Sequence, residues 1–229
     1  MQEDENATRK SQLASPVLRK KVLFANNLAC VGVVGVSVVL PEILGLSLQS
    51  ATERSLLLLL ACLIPCFLVL HGVFLLRLHS PSLHTSTGIL RGISGLLWGS
   101  LFFHFLGVMF GAPLIEDAGR TFLWAVLMAT LVALPAACFL GFDPRRLVLI
   151  TVFDPSSSSS SIESSLSLPA DGAIVGTWVG AFVIPLDWDR EWQVWPVSCC
   201  YGAIGGYLLG SFLSALFMFV VPTPPTKED

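Results

Sequence analysis

Residues Ser55–Leu76 read SLLLLLACLIPCFLVLHGVFLL, 22 positions without a charged side chain. A helix needs roughly 20 apolar residues to cross about 30 Å of hydrocarbon, where every backbone polar group must find its partner within the protein. This stretch therefore predicts a transmembrane helix. Val22–Leu40, Gly92–Gly111, Thr121–Phe142 and Val197–Val221 have comparable length and character. A sixth segment, Ala173–Leu186, has only 14 residues and spans only if its flanks lie in the interface.

The bulk composition agrees. Of 229 residues, 54% are hydrophobic and 13% charged, with a mean hydropathy of +0.76. Soluble domains carry about 25% charged residues, and a core of this size cannot cover so much apolar surface. The net charge of −3 leaves no basic footprint for nucleic acid. The expected fold is all-α: a polytopic bundle of six transmembrane helices within residues 22–221, between a tail at 1–21 and another at 222–229.

All 13 Lys and Arg residues and all 16 Asp and Glu residues fall outside the six segments. That placement argues against an ion-coupled pump or a voltage sensor, which need intramembrane charge. Counted by side, ten basic residues share the side of the termini, among them Arg9, Lys10, Arg19, Lys20 and Lys21; only Arg54, Arg120 and Arg190 lie on the other. The excess places both termini in the cytosol. The first apolar run follows a 21-residue polar lead and precedes no A-x-A site, so it reads as a retained span. Asn26 and Asn27 near its start are expected at the cytosolic interface. Pro155–Leu168, with six consecutive serines, reads as a disordered cytosolic connector.

Six cysteines (Cys30, Cys62, Cys66, Cys138, Cys199 and Cys200) lie in or beside apolar runs and read as small hydrophobes. No metal or other cofactor set is apparent. Small residues four apart let helices approach closely in lipid. Gly202, Gly206 and Gly210 form one such face, and Gly176 and Gly180 another, as do Gly95 and Gly99. Each serves either packing within the bundle or docking of another membrane protein. His71 and His104 are the intramembrane histidines, roughly 10 Å apart in depth at 1.5 Å per residue, too far for a shared metal.

Two short stretches stand out on the side opposite the termini. The first follows His104: Gly111, Ala112, Pro113, Leu114, Ile115 and Glu116. The second is Asp187-Trp188-Asp189-Arg190-Glu191-Trp192-Gln193-Val194-Trp195-Pro196. The i, i+4, i+7 spacing of Trp188, Trp192 and Trp195 would put all three rings on one side of a helical turn, and Asp187 could pair with Arg190 there. An aromatic belt accounts for tryptophans alone, but not for the charges among them.

These stretches, with Gly180-Ala181 and Ile184-Pro185-Leu186, resemble the PIG-F family, the class F proteins of glycosylphosphatidylinositol (GPI) anchor biosynthesis. The resemblance runs from the third span to the sixth. It implies a multi-pass protein of the endoplasmic reticulum that is not itself an enzyme. Such a protein binds and stabilises GPI ethanolamine phosphate transferases 2 and 3, which modify the second and third mannoses of the anchor precursor. It also implies that His104, Gly111, Ala112, Pro113, Glu116, Asp187, Trp188, Asp189, Arg190, Trp192, Gln193, Trp195 and Pro196 meet partner or lipid. The absence of a nucleophile–base pair or soluble catalytic domain from the sequence is consistent with this. A second reading stays open: a lipid transporter or lipid-presenting protein that brings phosphatidylethanolamine or the GPI intermediate to the transferase. A polar groove would favour it, whereas a flat glycine-lined face would favour the subunit.

Overall fold

The computed structural model of the protein describes residues 16–75, 84–140, 161–186 and 188–220. Among these residues the structure is helical, with turns and no strand. Among the described residues six helical rods make the bundle: α1 (Pro16–Ile43), α2 (Thr52–Phe67, continued by Leu68–Leu75), α3 (Thr85–Met109), α4 (Ala118–Met128, continued through Ala129–Ala133 to Leu134–Leu140), α5 (Ser161–Phe182) and α6 (Val197–Val220). The all-α membrane fold expected from the sequence is the fold observed. The links 44–51, 110–117 and 183–196 gather at one end, here termed the loop end.

Local chemistry explains where the rods stop and where they widen. Gly45 (φ +73°) and Gly111 (φ +98°) adopt left-handed backbone just past α1 and α3, which only glycine does without strain. The amides that follow cap the freed carbonyls, Leu46 bonding Pro41 at 2.9 Å and Ala112 bonding Gly107 at 2.9 Å. Pro65 and Pro135 lack an N–H for the ladder. Close to each the helix relaxes to π geometry, at Leu68–Leu75 in α2 and Ala129–Ala133 in α4. α4 is the central rod: Trp124, Ala125, Leu127–Leu131 and Leu134 are all buried. Gly95 and Gly99 of α3 lie on its alanines, so a Cβ at Gly99 would sit 3.1 Å from that of Ala129.

Five of the rods are long and apolar enough to cross a membrane: α1, α2, α3, α4 and α6. α5 has the length but not the hydropathy, and it departs most from expectation. The sequence suggested a span at 173–186 after a disordered connector ending at 168; the helix instead runs Ser161–Phe182. Burial overrides composition here. Ser165, Leu166, Pro169 and Ala170 are buried, and Ser165 donates to Asn27 Oδ1 at 3.3 Å. The helix stops at Phe182, ahead of Pro185, because the residue before a proline disfavours helical backbone. The remainder of the proposed connector, 155–160, residues 1–15 and the tail at 222–229 lie outside the described residues, whereas residues 16–21 of the expected N-terminal tail are the first turns of α1.

The helix bounds overturn one further expectation. Asp171 now falls inside a membrane-length helix, and Arg91 lies within α3, which begins seven residues before Gly92. Asn26 and Asn27, expected near the interface, are buried inside the bundle. Asn27 Nδ2 donates to Ser214 Oγ at 2.9 Å, so a single amide ties α1 to α6 and, through Ser165, to α5.

Candidate functional site

α5 and α6 run antiparallel in the closest contact of the fold, and their glycines explain it. Gly172, Gly176 and Gly180 face Gly206, Gly202 and Ser198. A Cβ at Gly206 would meet the carbonyl oxygen of Gly172 and lie 3.0 Å from the Cα of Gly176. One at Gly202 would meet the carbonyl of Gly176, and one at Gly210 that of Leu168. Both rows identified in the sequence therefore close on each other. The row at Gly202, Gly206 and Gly210 is an internal seam and presents no flat face to another protein.

That seam delivers the chain into the loop of residues 183–196. The loop is not the helical turn that the tryptophan spacing suggested. Asp189 has left-handed backbone (φ +47°), Glu191–Gln193 is a single 3₁₀ turn, and the Trp195–Pro196 peptide is cis. Trp188 and Trp192 do pair, with ring centroids 6.0 Å apart. Trp195 turns away from them and packs on Trp124 of α4 at 5.2 Å. Three aromatic residues on one helical face would need continuous helix, which the extended backbone at Arg190 and Val194 denies. The proposed Asp187–Arg190 pair involves Asp187, outside the described residues.

Gln193 organises this loop. Only 7% exposed, it donates from Nε2 to the carbonyls of Val183 (2.9 Å) and Leu186 (2.6 Å). Its Oε1 accepts from the backbone N–H of Arg190 at 3.0 Å. One side chain thus satisfies three backbone groups that an irregular loop would otherwise leave bare.

The two stretches singled out in the sequence meet through Thr121. Its hydroxyl accepts from Trp195 Nε1 at 3.0 Å and donates to the carbonyl of Pro113 at 3.0 Å. Behind it, Trp124 Nε1 donates to Thr177 Oγ1 (3.1 Å), which in turn donates to the carbonyl of Cys199 (3.2 Å). The 110–117 link, α4, α5, the 183–196 loop and α6 are thereby joined by indole and hydroxyl groups. Thr121, Trp124 and Thr177 were not singled out by sequence, because each looks like an ordinary span residue until its distant partner is known.

The other candidates separate into exposed and internal groups. Ile115 and Glu116 are exposed, as are Trp188, Asp189, Arg190 and Glu191. Gly111 and Ala112 form the turn that ends α3. His104 does not join this network: its ring stands edge-on to Phe122 at 5.8 Å, and its buried Nδ1 has no hydrogen-bond partner. His71 is fully internal, with Nδ1 3.1 Å from the Phe67 carbonyl and Nε2 3.8 Å from Cys30 Sγ. The six cysteines are free thiols.

A cavity of about 590 Å³ opens at the loop end between the 44–51 link, the start of α2, α4 and the 183–196 loop. Arg54, Arg120, Glu53 and Glu191 line it, so both signs of charge are present. Arg120 lies 3.5 Å from Glu53 and 3.4 Å from Asp117. Arg54 and Glu191 make no ion pair among the described residues. Those residues also hold no group of three or more His, Cys, Asp or Glu side chains placed to bind a metal.

Comparison with known proteins follows the same lines. Residues 33–215 match the family described as "GPI biosynthesis protein family Pig-F". Among curated proteins, the chain is 42% identical over 136 residues to the human "GPI ethanolamine phosphate transferase, stabilizing subunit", covering 59% of this chain and 61% of that one. The mouse protein of the same name is 40% identical over the same coverage. Glycosylphosphatidylinositol anchor biosynthesis protein 11 of Neurospora crassa is 41% identical over 112 residues, covering 49% of this chain and 39% of its own length. The match thus spans about three fifths of the length of the human and mouse relatives. No solved structure matches the chain.

Proposed function

Because the chain belongs to the PIG-F family of GPI biosynthesis proteins, we propose that it is a non-catalytic, stabilising subunit of GPI ethanolamine phosphate transferases 2 and 3. In this reading it resides in the endoplasmic reticulum membrane with both termini cytosolic, and the loop end faces the lumen. It is needed for adding ethanolamine phosphate to the second and third mannoses of the anchor precursor. The carrying observation is the identity to the human and mouse stabilising subunits. The chemistry of the loop end supports it. Gln193, Thr121, Trp195 and Trp124 are engaged in holding helices and loops together, and none is paired as a nucleophile with a base. The exposed Trp188, Asp189, Arg190 and Ile115, set on that rigid frame, are the residues offered to the transferase.

The test is genetic and biochemical together. In cells lacking the chain, GPI-anchored surface protein should fall, and re-expression should restore it. Purified chain alone should transfer no ethanolamine phosphate. Transfer by the isolated chain would overturn the reading.

The lipid-presenting alternative draws on one observation, the cavity with arginines and carboxylates on its walls. A phosphoethanolamine headgroup carries both charges, so its phosphate would suit Arg54 or Arg120 and its ammonium Glu53 or Glu191. Arg54→Ala with Glu191→Ala separates the two readings. The subunit reading predicts retained complex and retained anchor synthesis, whereas the alternative predicts retained complex with lost synthesis.

A further inference from the structure

Asp171 is the eleventh of the 22 residues of α5, about 15 Å along the axis from either end. Its neighbour Gly172 lies against Gly206, itself ten residues into α6, so this level is near the middle of both helices and, with both spanning the bilayer, near mid-depth. Asp171 makes no hydrogen bond or ion pair among the described residues, and its Oδ2 is buried without a partner. A carboxyl group at this depth is costly in hydrocarbon and is retained only where something satisfies it.

Direction is set by helical periodicity. At 100° per residue, Asp171, Val175, Trp178 and Phe182 share one stripe, and Gly172, Gly176 and Gly180 point away toward α6. The last three of the stripe are 61, 64 and 68% exposed. The stripe is therefore an outward apolar face from Val175 to Phe182, with the part-exposed Asp171, its Oδ2 buried, at the inner end of it. Lipid tails cover Val175 and Phe182 well, but they offer Asp171 nothing.

We propose that this face of α5 is the intramembrane docking surface for a transmembrane helix of the transferase, one that presents a hydrogen-bond-donating side chain to Asp171 at mid-depth. The inference rests on the stabilising-subunit reading and adds to it the place of contact and the chemistry of the partner. A side chain with N–H or O–H groups (amide, hydroxyl, ammonium or guanidinium) complements the acid, and small or aliphatic residues beside it complement Val175 and Trp178. Hydrogen bonding between spans is a recognised source of association in lipid, where the tails provide no competing donor. It also explains why a span otherwise short of hydropathy keeps an acid at its centre.

Full-length chain is purified in mild detergent with the transferase catalytic subunit, comparing the native chain, Asp171→Asn and Asp171→Leu. Asn keeps an accepting oxygen, so recovery of the transferase should stay within about twofold, whereas Leu should lower it at least fivefold while the chain inserts normally. Equal recovery with Leu would overturn the docking surface, provided the native chain brings the transferase down. Failure of the native chain to recover any transferase would instead overturn the subunit reading itself. In a second arm, a photo-crosslinking residue at Val175 should give an adduct with the transferase. An adduct only with lipid, or with a second copy of this chain, would contradict the proposal.

Discussion

At the residue scale, Gln193 does most to shape the loop end. Replacing it by Leu removes two donors and one acceptor and leaves the Val183 and Leu186 carbonyls and the Arg190 N–H bare. Each unsatisfied buried group costs roughly 1–3 kcal/mol. Gln193→Glu is expected to be worse, because a carboxylate would then face two carbonyl oxygens. Thermal unfolding in detergent should show a Tm several degrees below native for Leu and a larger drop for Glu. An unchanged Tm for both would mean that the loop holds itself without this side chain. Trp195→Phe is a finer probe. It keeps the ring against Trp124 but loses the N–H to Thr121, so a loss of about 1 kcal/mol is expected. By contrast, Trp188→Ala should leave stability nearly unchanged, since that ring is exposed. The sequence pointed to this loop because ten residues so dense in tryptophan and charge are unusual between spans. It could not show which of them face inward. Gln193 and Arg190 look equally polar as letters, and only the path of the loop makes one a clamp and leaves the other exposed.

At the element scale, the α5–α6 seam makes a sharp contrast between adjacent residues. Gly206→Ala puts a methyl group into the backbone of Gly172, and rigid helices must part to admit it. A cost of about 2–3 kcal/mol or more is expected, seen as loss of folded protein in detergent. Gly205→Ala, next along the chain, meets nothing within 4 Å. It should be neutral or slightly stabilising, because alanine is the better helix former. Equal behaviour of the two variants would show that the seam is looser than described. Five rods were legible from hydropathy, since long uncharged runs have few other uses. α5 was legible only in its second half, from Ala173, because the serines and Asp171 lower the hydropathy of the first half while the contact with α1 and α6 holds it helical. The glycine spacing was legible too, but spacing names a close contact without naming its partner. Only the structure shows that the two rows meet each other.

For the whole molecule, the claims of sidedness and partnership are the ones to test. Sidedness rests on ten basic residues against three. It predicts that the acceptor Asn6-Ala7-Thr8 stays unglycosylated in cells, since glycan transfer occurs only in the lumen. Endoglycosidase treatment should leave gel mobility unchanged. A shift abolished by Asn6→Gln would put the N-terminus in the lumen and, across the odd number of spans that separates them, the loop end in the cytosol. Partnership is the central claim, and the abundance of the transferase catalytic subunits tests it most directly. Their protein levels should be measured in cells with the chain, without it, and with it restored. The account predicts a several-fold fall on loss of the chain, at unchanged transcript level, and recovery on restoration. Transferase abundance that is the same in all three would contradict it.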